Sequence, residues 1–69
     1  MTRLAKILEE AGIRQSWLAE KTGLTNVAIN RYVRGNRVPK VANAIKIARA
    51  LGMTVEMIWG GEEDEQRHS

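Results

Sequence analysis

The chain has 69 residues, 11 Lys and Arg against 8 Asp and Glu, and no cysteine. That length holds one small domain without room for a large cavity. Without thiols there is no disulfide framework, zinc–thiolate site or cysteine nucleophile, and a reducing, cytoplasmic setting is expected.

Glycines divide the chain into blocks that each read at the helical period. The first runs from Thr2 to Ala11, with Leu4, Ile7, Leu8 and Ala11 on one side and Lys6, Glu9 and Glu10 on the other. Thr2 is a suitable N-cap, and Gly12 can take the left-handed position after the end. The second block, Gln15 to Thr22, turns Leu18 and Ala19 inward and stops at Gly23. The third, Asn26 to Arg34, has Thr25 as its cap and Gly35 as its stop. Its apolar stripe is Ile29, Tyr32 and Val33, which leaves Asn26, Val27, Asn30, Arg31 and Arg34 on a different face.

A loop, Asn36-Arg37-Val38-Pro39, leads to a fourth block, Val41 to Leu51. There Val41, Ala44, Ile45, Ile47, Ala48 and Leu51 form a broad apolar face. Thr54 caps a fifth block, Val55 to Trp59. None of these helices is long enough to be stable alone. The expectation is an all-α, compact five-helix domain over residues 1–61, followed by a charged, disordered tail over residues 62–69. Apolar runs stop at three residues, as in Val27-Ala28-Ile29, so neither a membrane span nor a secretory signal is expected.

Charge is distributed unevenly. The tail holds Glu62, Glu63, Asp64 and Glu65 with a single base, Arg67. The rest of the chain carries ten bases and four acids, and from Lys21 to Val55 there are seven bases and no acid. A basic, acid-free stretch of this kind suits a polyanion partner.

The segment Gln15 to Tyr32 sets two short helices around a turn that contains Gly23, which is the helix-turn-helix layout. Ala19 allows close backbone approach, and Leu18, Ile29 and Tyr32 fill the angle. Residues 4–59 resemble the lambda-repressor/Cro-like (XRE) helix-turn-helix family. The resemblance rests on Gln15, Leu18-Ala19, Gly23, Thr25, Ile29, Gly35, Pro39 and the run Ile47-Ala48-Arg49-Ala50-Leu51-Gly52, matched without a gap. Arg14 and Lys40 depart from it, standing where the family has small capping residues, and Thr22 replaces a more apolar residue.

The resemblance implies a lambda-repressor-like five-helix domain that binds double-stranded operator DNA as a homodimer, with the second motif helix in the major groove. Asn26 can then pair with adenine, Val27 and Ala28 can meet a thymine methyl, and Arg31 can grip guanine. Asn30 can reach a base or a phosphate. Gln15 corresponds to the family glutamine that bonds a phosphate. Arg34, Asn36, Arg37 and Lys40 flank the other end of the helix as phosphate contacts, and Thr25 completes the set. Met53, Met57, Ile58 and Trp59, with Ile45, exceed the apolar surface so small a monomer can cover; part of it is expected in the core, and the excess points to a dimer interface built from the fifth helix and its neighbours.

The alternative is an antitoxin or other protein-interaction module of a toxin–antitoxin pair that also binds its own promoter. An enzyme is not expected: Ser16, Ser69 and His68 form no nucleophile–base pair, and neither a cofactor nor a metal is implied. With no second domain to sense a ligand, control is expected to come from abundance or a partner.

Overall fold

The structure is a computed structural model and describes residues 1–60. Four α-helices, α1 (Arg3–Ala11), α2 (Gln15–Thr22), α3 (Asn26–Arg34) and α4 (Val41–Leu51), precede a π-helical turn at Glu56–Gly60. The described residues contain no strand, so the fold is all-α with five helical elements.

Capping chemistry sets the ends. The hydroxyl oxygens of Thr2 and Thr25 accept from the Ala5 and Ala28 amides, each at 3.0 Å. Arg14 and Lys40 occupy N-cap positions without a side-chain cap bond, yet both helices start where the periodicity places them. Their extended backbone and the packing of the next turns are enough. At the far ends the Ile13, Asn36 and Met53 amides reach back to the Leu8, Arg31 and Ala48 carbonyls. This closure satisfies carbonyls that a helix end leaves unpaired, and it turns Ile13 and Met53 back against the core.

Each element supplies one completely sequestered aliphatic side chain: Leu4, Leu18, Ile29, Ile47 and Ile58. Ala19, Ala44 and Ala48 are also buried, and their small size lets α2 and α4 approach closely. Two polar ties complete the frame. Thr2 Oγ1 donates to the Val33 carbonyl at 2.6 Å, joining the start of α1 to the end of α3. Asn43 Nδ2 donates to the Tyr32 hydroxyl at 3.3 Å, joining α4 to α3. Thr22 fits the core because its hydroxyl donates to the Leu18 carbonyl at 2.8 Å, and among the described residues no buried side-chain polar atom is left without a partner.

Three expectations are corrected. The fifth element lies at Glu56–Gly60 and is wound more widely than an α-helix. Ile58 and Trp59 are core residues, 0% and 8% exposed, and cannot form a subunit contact while they fill this space. On α4 the buried stripe is narrower than its apolar composition: Ala44, Ile47 and Ala48 face inward, whereas Val41 and Ile45 are exposed. The proposed tail, residues 62–69, lies outside the described residues.

Candidate nucleic-acid interface

The interface is built on the turn between α2 and α3. Gly23 takes φ +75° there, a left-handed conformation that side chains with a Cβ resist. The Leu24 amide then donates to the Thr22 hydroxyl at 3.3 Å. Leu18 and Ile29, both fully buried, set the angle from inside. α3 is therefore held by its inward face, and its opposite face is left to solvent.

That outward face carries most of the expected readers. Asn26, Val27 and Arg31 are exposed, with Val27 at 62%. An apolar side chain so exposed at the start of a helix is free to meet another apolar group. Ala28 is different: its methyl is half-buried and packs against the core, so only part of it faces out. Thr25 is exposed, and its oxygen is engaged in capping Ala28, leaving its hydroxyl hydrogen free to donate.

Asn30 has a more specific position than its sequence neighbourhood suggested. Its Nδ2 donates to Gln15 Oε1 at 3.1 Å, and both side chains are half-buried. This bond ties the first residue of α2 to the middle of α3. It also fixes the Gln15 amide so that its Nε2 remains a donor for a partner outside the domain. Asn30 thus positions Gln15. No residue spacing distinguished that role from base contact, because the two residues lie fifteen apart in sequence.

At the other end of α3, Arg34, Asn36, Arg37 and Lys40 are all exposed, and Pro39 between them is buried and anchors the loop. Ser16 and Glu20 were not singled out by the motif. With Asn26, Thr25 and Leu24 they line a concavity of about 600 Å³ in the elbow of the two helices. Their spacing of four on α2 places both on one side of that helix. Among the described residues no cluster of three His, Cys, Asp or Glu could hold a metal ion. No described helix is long and apolar enough to cross a membrane.

An exposed, acid-free α3 face on a glycine-turned helix pair defines a DNA-binding helix-turn-helix domain. Residues 4–58 match the model of the helix-turn-helix family, and the chain belongs to that family, in its lambda-repressor/Cro-like (XRE) class. The family is one of DNA-binding regulators. A segment of the replication factor C small subunit of Methanocaldococcus jannaschii is 44% identical over 50 residues, 72% of this chain and 3% of that protein. The corresponding protein of Thermococcus kodakarensis is 43% identical over 47 residues, 68% of this chain and 5% of that protein. The chain thus spans only a small fraction of either relative's length. No solved structure matches it.

Proposed function

We propose that this protein is a sequence-specific transcriptional regulator, acting as a repressor, that lays α3 into the major groove of a palindromic operator. The observation that carries this reading is the α3 surface itself. Asn26, Val27 and Arg31 face outward together beside Gln15, on a helix whose other side is locked into the core. Asn26 pairs with adenine N6 and N7, Val27 contacts a thymine methyl and Arg31 grips guanine O6 and N7. Gln15 Nε2, Thr25, Arg34, Asn36, Arg37 and Lys40 hold phosphates and fix the register. The positive end of the α2 dipole adds to the Gln15 contact.

The protein acts as a homodimer, because one α3 reads too few base pairs to mark a site. Two recognition helices about 34 Å apart match successive turns of one groove face. Met57, 53% exposed, and the half-buried Met53 remain available for the subunit contact, with Val41 and Ile45 exposed on α4. The matched segments of the replication factor C small subunits are so small a part of those proteins that a role in replication is not carried over.

Selection of bound duplexes from a random pool, at two salt concentrations, tests the reading. Enrichment of an inverted repeat with half-sites one helical turn apart is the expected result. With Arg34, Arg37 and Lys40 on phosphates in each half-site, log affinity should fall steeply with log salt. A pool that stays unenriched, or an affinity indifferent to salt, overturns the proposal.

A further inference from the structure

Beyond the end of α2 that faces the duplex lie two concavities, bridged by the contact of one lysine with one tryptophan ring. The first, about 380 Å³, is lined by Lys21 and Thr22 on α2 and by Lys46, Arg49 and Ala50 on α4. Three cations border it, and no acid occurs between Lys21 and Val55 to offset them within that segment. The second, about 280 Å³, is lined by Gly12, Ile13, Arg14 and Trp17. Trp17 is 40% exposed, unlike Trp59, which is buried. Gly12 leaves open space beside it, since a Cβ there would meet nothing within 4 Å.

Lys21 lines only the first, but it sits over the ring that lines the second. Its ammonium lies 5.7 Å from the centroid of the Trp17 ring. Arg14, Trp17 and Lys21 follow each other at helical spacing on one side of α2. The band starts next to Gln15, at the edge of the duplex surface, and Lys21 lies about 9 Å further along the helix.

We propose that this band binds a single strand of DNA continuing from the bound duplex, with a base stacked on Trp17 and phosphates held by Lys21, Lys46 and Arg49. Alternation of cations with an exposed ring is what an unpaired strand can use, because its bases present free π-faces. A duplex keeps those faces stacked inside itself. An acidic peptide would engage the cations and leave the ring and its adjoining slot unused. The proposal goes beyond the regulator reading and takes from it only the orientation of α2.

The test is titration of the full chain with a short oligothymidylate while tryptophan emission is followed. Trp59 is buried, so quenching reports on Trp17. Saturable, salt-sensitive quenching is expected. Read by the anisotropy of a labelled oligothymidylate, Trp17→Ala should lose about 5- to 150-fold in single-strand affinity and keep its affinity for the selected duplex. Lys46→Glu with Arg49→Glu, both at exposed positions, should weaken single-strand binding and leave the fold intact, which keeps the test decisive if Trp17→Ala does not fold. Absence of quenching overturns the proposal. So does polyglutamate competing as well as the oligonucleotide, which would mark an acidic protein partner, or preference for oligouridylate. Loss of duplex selection with quenching intact would remove the regulator reading alone.

Discussion

Gly35 offers a measurement in which conformation and contact can be separated. Its φ is +79°, and a Cβ built there would lie 2.9 Å from Thr2 Cγ2. Gly23 has nearly the same conformation, φ +75°, with nothing within 4 Å of a built Cβ. Gly23→Ala should therefore cost only the left-handed strain, about 1–2 kcal/mol. Gly35→Ala incurs that strain and also displaces Thr2. Thr2 both caps α1 through the Ala5 amide and donates to the Val33 carbonyl at 2.6 Å. Losing the cap costs about 1 kcal/mol, and losing the second bond about another 1 kcal/mol. For a domain this small the extra 2 kcal/mol or so corresponds to a melting temperature roughly 8–16 °C below that of Gly23→Ala. Thermal melts followed by far-ultraviolet circular dichroism, at one protein concentration, give the comparison. Adding Thr2→Ser removes Cγ2 and keeps the hydroxyl, so it should restore most of the difference in the Gly35→Ala background. Coincident melts for Gly35→Ala and Gly23→Ala would refute the idea that Thr2 is held in place against α3.

Two further predictions concern the duplex surface. Asn30→Ala and Gln15→Ala should each weaken binding to selected and scrambled duplexes alike, and the double variant should lose less than the sum, with a coupling of about 0.5–3 kcal/mol in fluorescence anisotropy. Strict additivity would mean that Asn30 reaches DNA independently of Gln15. Arg31→Ala should relax discrimination at one base pair by about 1–3 kcal/mol, whereas Arg37→Ala should lower affinity for every sequence and reduce the salt slope by about one phosphate's worth. If Arg31→Ala lowers affinity for all duplexes equally, its assignment as a base reader is wrong.

Helix positions were legible because apolar spacing and glycine stops agreed. Together they placed α2, α3 and α4 at their observed limits, with a threonine cap adding to them at α3 and no cap bond where Arg14 and Lys40 stand. The last element was read less well. Composition marks Met53 to Trp59 as strongly apolar, but it does not say which of those residues the core admits. The widened turn brings Ile58 and Trp59 inward and leaves Met57 outside, a choice among three apolar neighbours that composition does not make. The same limit applies to α4, where Val41 and Ile45 share the apolar composition of Ile47 but no helix among the described residues covers them. Periodicity shows which residues share a side, whereas burial depends on where the next element ends. The Gln15–Asn30 bond was hidden for a related reason, since it exists only once the turn at Gly23 has fixed the angle between the two helices.

That angle accounts for the division of labour along α3. Ile29, Tyr32 and Val33 are buried, and each faces a different support: Ile29 lies in the angle with α2, the Tyr32 hydroxyl accepts from Asn43 of α4, and the Val33 carbonyl accepts from Thr2 at the start of α1. The helix is thus held from three sides by residues that never need to meet a base. Asn26, Val27 and Arg31 carry almost none of this packing. Base preference can change at those positions at little cost in stability, because surface substitutions away from caps and core contacts shift stability by only about 0.5 kcal/mol. Asn30 is the exception on that face, since its bond to Gln15 ties the placement of α3 to the start of α2, the end proposed to meet phosphate. On the proposed docking, a change at Asn30 should therefore alter how the protein sits on DNA, whereas a change at Arg31 should alter which DNA it prefers.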